Sequence, residues 1–285
     1  MATQPVVGAK AMLQFFIWIY GATAAILLAE VVAGRHKGAY TRSDIPLLII
    51  SFFSGRAVIG PLMVGLIAIL YGLAMPQWKG ALAATPFWIG FPAVLLFEEF
   101  VFYWVHRLAH ENRNGKEQLL WKLHRTHHSG RHMNVILQAR VNLFWYVVIP
   151  SGWTLGLCLY LGLGPAAAAA QIMLVAWNTV THSNFRWDDA VRRHPTFGPI
   201  FRAVEHVFVS PGIHHTHHGY GKDGAGYRNF GTVISLWDWL FGTLHIPHGR
   251  PWRYGNPGPT AHWTEELLYP LVGFGRTRQP IGRED

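Results

Sequence analysis

Long apolar runs alternate with short polar segments along this chain, and the lengths of the runs decide what they form. Apolar stretches cover about Ala11 to Gly34, Ile45 to Met75, Phe87 to Val105, Val141 to Leu163, and Pro165 to Thr181. An apolar run of roughly 17 or more residues, wound as a helix, crosses a hydrocarbon core about 30 Å thick. The pattern therefore predicts an all-α membrane protein, a helical transmembrane bundle of four to five spans. The second run carries one charge, Arg56, and is long enough for a short interfacial helix followed by a span from Ala57. An arginine at that position either meets a lipid headgroup or snorkels to the surface, and the sequence leaves both open. Only Gly162-Leu163-Gly164-Pro165 separates the fourth and fifth runs, which predicts a tight helical hairpin. Trp18, Trp78, Trp88 and Trp145 stand near run ends and fit an interfacial aromatic belt.

The remainder is organised differently. Residues 183–260 are polar, aromatic and glycine-rich, and they read as a cap of short helices and loops. An amphipathic stretch from Thr264 to Val272 is expected to lie against the cap or the interface. Three regions result: an N-terminal transmembrane region, 1–86; a catalytic region, 87–260; and a C-terminal tail, 261–285.

Composition agrees with a membrane class, since 51% of residues are hydrophobic and 14% charged. The first run is too long for the core of a signal peptide, so no cleavable leader is expected. The formal charge of +9 forms no continuous basic tract, so a nucleic-acid partner is not indicated. Lys plus Arg number 3 in residues 35–44, 1 in 76–86, 7 in 106–140, none in 141–185 and 11 in 186–285. With five crossings the rich segments share one side, and the positive-inside bias makes that side cytoplasmic. The single cysteine, Cys158, lies in an apolar run and reads as a packing residue.

Histidine changes the picture most. The chain holds 17, and nine of them fall into four groups: His106 and His110; His124, His127 and His128; His182; and His214, His217 and His218. Spacings of three and four residues stack imidazoles on one helix face. Charge sidedness puts all four groups on the same side of the bilayer. Neutral imidazole is the commonest metal-binding side chain and suits Fe, Zn, Cu or Ni over Mg or Ca. Nine imidazoles exceed the needs of one ion, so a dinuclear site under the cap is expected. Nitrogen-ligated redox metals beside a bilayer suit O₂ activation against an unactivated C–H bond, with electrons supplied from outside the chain.

These residues resemble the fatty acid hydroxylase and sterol desaturase superfamily of integral-membrane di-iron enzymes. The likeness runs from about Glu99 to Thr243. It rests on Tyr103-Trp104-x-His106-Arg107-x-x-His110, His124-x-x-His127-His128-Ser129, His182-Ser183-Asn184, Ser210-Pro211 before His214-x-x-His217-His218, Asn229-Phe230-Gly231, and Trp237-Asp238-x-x-Phe241-Gly242-Thr243. The resemblance implies two Fe ions held by the nine histidines, O₂ as co-substrate, and a membrane lipid as substrate. Sterol, fatty acyl and ether lipids all belong to that substrate class, and hydroxylation and desaturation both remain open. Acyl 2-hydroxylases of the family carry a second histidine where this chain has Arg186, which argues for another branch. Glu111, directly after His110, resembles the pterin-dependent ether-lipid branch, whereas His182-Ser183-Asn184 is more like the sterol branch. His194-Pro195 lacks the Gly-Gly of a cytochrome b5 haem loop, so the electron donor is expected to be separate, an electron-transfer protein or a reduced pterin.

Candidate supporting residues follow. Glu99 and Glu111 are the acidic candidates for the catalytic machinery, Glu99 as an acceptor that orients His106 and Glu111 as a holder of a ligand or pterin. His215 breaks the triplet spacing and is expected to be a spare facing outward. Asn229 and Asp238 are expected to fix the cap fold. Two other classes compete with the oxygenase: a zinc-dependent membrane hydrolase, and a metal transporter, which would carry ligands near mid-span.

Overall fold

The computed structural model describes residues 9–35, 44–111, 119–257 and 261–273. Lys37, Arg42, Arg113 and Lys116, which enter the charge count, lie outside the described residues, as does everything beyond residue 273. The described chain is mainly helical. Its first helix, α1 (Ala9–Val32), is followed by α2 (Asp44–Ile50), a π-helical stretch (Ser51–Ile59) and α3 (Gly60–Ala74), which run on as one rod. Next come α4 (Phe87–Glu111), α5 (Leu119–His124), α6 (Trp145–Val148), α7 (Pro150–Tyr160) and α8 (Gly164–His182). The cap holds α9 (Trp187–Arg193), α10 (Phe197–Val204), α11 (Pro211–His218), α12 (Leu236–Leu240) and α13 (Trp263–Leu268). Strands β1 (Gly219–Tyr220) and β2 (Arg253–Tyr254) pair antiparallel, with Gly219 opposite Tyr254.

Among the described residues, two helices are long and apolar enough to cross a membrane, Asp44–Ala74 and Phe87–Glu111. The expected fourth span is not one helix. Pro150 has no amide hydrogen and forbids helical geometry at Ile149, whose ψ is 133°, so the run divides into α6 and the 11-residue α7. The third run continues as one helix, α4, past its apolar part to Glu111, and carries His106 and His110 on its last turns. The hairpin at Gly162 forms as expected, with φ +92° there and no room for a β-carbon against Ala83.

The core joins α4, α7 and α8 through Val94, Leu95, Leu155, Cys158, Ala166, Ala170 and Leu174, with Val233 and Ile234 of the cap packed onto the same cluster. Small residues set the spacing: a β-carbon on Gly156 would come within 2.8 Å of Ile67 and 2.9 Å of the Val64 carbonyl, so α7 lies directly on α3. Trp78 and Trp88 are well exposed, but Trp145 is 3% exposed and is no belt residue. Its ring packs on His124 at 4.6 Å between centroids. Only the backbone of Trp18 is described, so its place in a belt lies outside the described residues.

Candidate metal centre

All nine histidines of the four groups converge. His106, His110, His124, His128 and His217 form one set, and His127, His182, His214 and His218 form another, with the candidate ligand nitrogens in each set within 4.8 Å of one another. The local spacing, on a turn after α5 and on α11, brings about the division. His124 and His128 face the first set, while His127, one position before His128, turns to the second. His217 and His218 split in the same way.

The nitrogens meet in a manner that imidazole alone does not satisfy. His106 Nδ1 donates to the Phe230 carbonyl at 2.6 Å, and His217 Nδ1 donates to the Arg228 carbonyl at 2.7 Å. A carbonyl only accepts, so both rings carry their proton on Nδ1 and present a lone pair at Nε2. Those two Nε2 atoms lie 3.1 Å apart. Two lone pairs at that distance repel unless a cation lies between them. His124 Nε2 stands 3.0 Å from Nε2 of both His106 and His128. In the second set His182 Nδ1 donates to the Asn178 carbonyl at 2.8 Å, and its Nε2 lies 3.3 Å from His127 and 3.1 Å from His214. Nitrogens about 2.1 Å from a common ion stand about 3 Å apart when the angle at the ion is near 90°. The spacings fit that geometry.

Protonation does not relieve the crowding. Burial pushes the imidazoles of His124, His127, His128, His214, His217 and His218 well below their ordinary value of 6.5, and repulsion from neighbouring imidazoles pushes them further down. These six donors are therefore neutral, and the nine nitrogen ligands, buried apart from the partly buried His127, suit a borderline transition metal. A cavity of about 10 Å³, room for one water, reaches His110, His128, His217 and His218 between Trp121, Tyr220 and Asn256.

The surroundings explain how such a site is held. Ser210 caps α11 by accepting from Ile213 N at 3.3 Å, and Asp188 accepts from Gly212 N at 2.7 Å. Arg192, buried, ties Asp188 at 3.1 Å to Glu205 at 2.5 Å, so α11 starts from a fixed ionic platform. On the other side Glu266 of α13 accepts from Ser129 at 2.9 Å and pairs with Arg140 at 2.5 Å. The segment expected as a tail thus clasps the turn that carries His127 and His128.

Sequence reasoning placed the supporting acids differently. Glu99 does not orient His106, a role the Phe230 carbonyl takes. One carboxylate oxygen of Glu99 accepts from Thr232, Val233 and Ile234 N at 3.0, 2.9 and 2.9 Å, because its turn of α4 faces the cap loop behind the ligand. Asp238 accepts from Phe230 N and Gly231 N, both at 2.8 Å, and fixes the same loop from below. Asn229 sits at φ +62° and bridges Ile213 O and the His245 backbone. Glu111 stands apart from both sets, half-exposed and paired with Arg107 at 2.7 Å. His215 belongs to neither set, yet it is buried and not outward-facing, with Nε2 donating to the Ser183 carbonyl at 3.1 Å. Sequence reasoning missed four buried residues beside the site: Glu30, which holds two backbone amides, Glu205 and Glu266, which each hold a buried arginine, and Arg140, which ties Ser129 to Glu266.

Comparison with known proteins agrees with the geometry. The fatty acid hydroxylase family profile matches residues 91–243. The chain is 27% identical over 194 residues to an alkylglycerol monooxygenase of Danio rerio, covering 66% of this chain and 37% of that protein. It is 32% identical over 199 residues to an ornithine lipid hydroxylase of Rhizobium tropici, covering 67% of this chain and 52% of the relative. A very-long-chain aldehyde decarbonylase of Oryza sativa subsp. japonica is 29% identical over 194 residues, covering 65% and 56%. The match thus spans between about a third and about half of these curated relatives' own length. No solved structure matches the chain. The matched segment carries every histidine of both sets, and the chain belongs to the fatty acid hydroxylase family.

Proposed function

We propose that the chain is an integral-membrane, O₂-dependent lipid hydroxylase whose nine clustered histidines hold two irons on the cytoplasmic face of a multi-pass bundle. The observation that carries this reading is the facing pair of Nε2 lone pairs on His106 and His217, 3.1 Å apart in a buried, uncharged setting. When bound, the metal pair supplies activation of O₂ with electrons from a separate donor. The relatives' names, a monooxygenase and a lipid hydroxylase among them, favour oxygen insertion into a lipid over zinc hydrolysis.

The chain's own residues have distinct tasks in this reading. The Phe230, Arg228 and Asn178 carbonyls hold His106, His217 and His182 in the tautomer that leaves Nε2 free for metal. Glu99 and Asp238 hold the loop that offers the Phe230 carbonyl. Trp121, Trp145 and Phe230 pack around the imidazoles and leave a small opening of about 10 Å³ beside the five-histidine set. Helices Asp44–Ala74 and Phe87–Glu111 present apolar surface through which an alkyl chain approaches.

Elemental analysis of the purified protein tests the metal reading, and O₂ uptake with a chemical reductant and membrane lipid extract tests the chemistry. About two irons per chain and lipid-dependent O₂ uptake are expected, with the uptake lost and the iron reduced to about one in His127→Ala. Zinc alone, with no uptake, overturns the proposal in favour of a hydrolase.

A further inference from the structure

Arg56 is a charge within a candidate membrane span that no acidic side chain among the described residues pairs. It lies roughly 18 Å along the rod from Asp44 at ~1.5 Å of rise per residue, too deep for its side chain to reach the end of the apolar run. Its neighbours Phe53 and Val58 are 61% and 51% exposed on the outer face, whereas Arg56 turns inward and is partly buried. It sits within the π-helical stretch Ser51–Ile59, a geometry that recurs at functional sites.

Everything named around the guanidinium is neutral. Arg56 Nη1 donates to Gln138 Oε1 at 3.2 Å, and the Tyr146 hydroxyl bonds both Arg56 and Ser51. Gln138 is fixed in that orientation because its Nε2 donates to Thr179 Oγ1 at 3.1 Å, which bonds in turn to Thr23 at 3.3 Å. Gly55 leaves the space that the Tyr146 ring fills, for a β-carbon there would overlap it. Among the described residues no carboxylate lies within ion-pair distance of Arg56, in contrast to Arg107, Arg140, Arg192 and Arg250, which all have acidic partners. A guanidinium held in an apolar span without a counter-charge is costly, and an anion that reaches it is correspondingly favoured.

The place of this cation relative to the site gives it meaning. Thr179, the far end of the Arg56–Gln138–Thr179 chain, lies one turn of α8 before His182, about 4.5 Å of rise away. We propose that Arg56, presented by Gln138 and Tyr146, binds the anionic end of the lipid substrate, a carboxylate or a phosphate, and so sets which lipid is held beside the His127, His182, His214 and His218 set. This rests on the lipid-oxidising reading above and adds a substrate class to it. Arg56 is a specificity-determining residue in this view, and its guanidinium fork matches either oxyanion bidentately.

The test is equilibrium binding to the metal-loaded full chain in neutral detergent micelles, with four probes: oleate, oleyl alcohol, dioleoylphosphatidate and dioleoylglycerol. Oleate is expected to bind about tenfold more tightly than oleyl alcohol if the site takes carboxylates, and phosphatidate about tenfold more tightly than diacylglycerol if it takes phosphates. Arg56→Gln should abolish whichever preference is found, and Arg56→Lys should keep part of it. Gln138→Glu places a carboxylate against Arg56 and should also suppress the preference, through a variant that keeps the guanidinium. Equal binding of charged and neutral probes by the wild-type chain overturns the proposal, whether or not the variants fold. So does a preference that survives Arg56→Gln. Iron content and O₂ uptake in the same samples keep the two readings apart. Lipid oxidation without a charge preference sinks only this one, and a charge preference without oxidation sinks only the oxygenase.

Discussion

The two histidine sets are built from the same boxes but held in different ways. The five-histidine set is fixed from outside by the cap, whose Phe230 and Arg228 carbonyls orient His106 and His217. The four-histidine set takes its carbonyl anchor from within α8, where His182 bonds Asn178 one turn back. Each set also has its buried carboxylate clamp. Glu99 gathers three consecutive amides of the loop behind His106. Glu30 accepts from Asn184 N at 2.6 Å, just after His182, and from Val135 N at 3.1 Å. The cap-held set is thus the more tightly prescribed. The helix-held set is linked to Arg56 through Gln138 and Thr179, the place proposed above for the anionic end of a lipid.

Acid is expected to erase this difference, with the largest effect of all. Three imidazoles in each set, His124, His128 and His217 in one and His127, His214 and His218 in the other, are pushed below their ordinary 6.5 by burial. Between the folded and unfolded values the unfolded chain binds more protons, so stability falls as pH drops below about 6.5. The slope is about 1.4 kcal/mol per pH unit for each such histidine in the metal-free chain. Metal retention falls in the same direction, since protons compete for Nε2. Thermal melts of metal-free protein should be flat from pH 8 to 7 and drop steeply below 6. A melt that rises on acidification contradicts neutral imidazoles in both sets.

Removing the clamps should separate the sets again. Glu99→Ala leaves three buried amides without an acceptor at about 1–3 kcal/mol each, so a loss of more than about 3 kcal/mol is expected, together with the metal of the five-histidine set. Glu30→Ala strands two amides, and about 2 kcal/mol with loss confined to the other set is the matching expectation. Metal stoichiometry should fall from about two to about one in each variant. Equal melting shifts would show that cap anchoring does not distinguish the sets. Asp238→Asn is milder. It keeps one acceptor oxygen for Phe230 N and Gly231 N, and metal at the five-histidine set should weaken about tenfold as its supporting loop loosens. A chelator titration with spectroscopic detection of each metal would show whether the helix-held set is spared.

How much of this was legible from the chain depends on what kind of contact is involved. Imidazole spacing is local, so the nine histidines could be grouped by periodicity before any fold was known. Their split between two sets was not legible: adjacent residues such as His127 and His128 point to different faces, but which imidazoles share a set depends on elements far apart in the chain. Partners across the fold carry no such trace. Glu99 looked like a partner for His106 because both lie on one helix, but the imidazole found a carbonyl 124 positions away at Phe230. The motif Asn229-Phe230-Gly231 marked that loop, though not that its backbone was the functional part. Trp145 read as a belt residue from its place at a run end, and Pro150 is why it is not: breaking the run turned α6 back onto His124. Glu30 was invisible because a lone acid in an apolar stretch announces a need for partners without saying where they are, and Glu266 because one of two adjacent acids in a helix's first turn reads as an ordinary end charge.

Glu111 gives the smallest expected effect and the sharpest limit on the comparison. It follows His110 directly, so sequence proximity alone would put it among the groups that hold the five-histidine set. The side chain instead lies on the surface at 52% exposure, paired with Arg107 one turn back. Arg107 in turn donates to the Tyr103 hydroxyl at 3.1 Å, and Tyr103 meets Thr243 at 2.9 Å, so among the described residues its link to the cap is indirect. An exposed pair of this kind contributes about 0–1 kcal/mol. Glu111→Gln should therefore shift the melting temperature by no more than a degree or two, leave both metals in place, and lose what small effect it has at high salt. Loss of one metal in this variant would mean that the cap network reaches the ligands through Arg107 and Tyr103. The five-histidine set would then be held from the surface as well as from the loop.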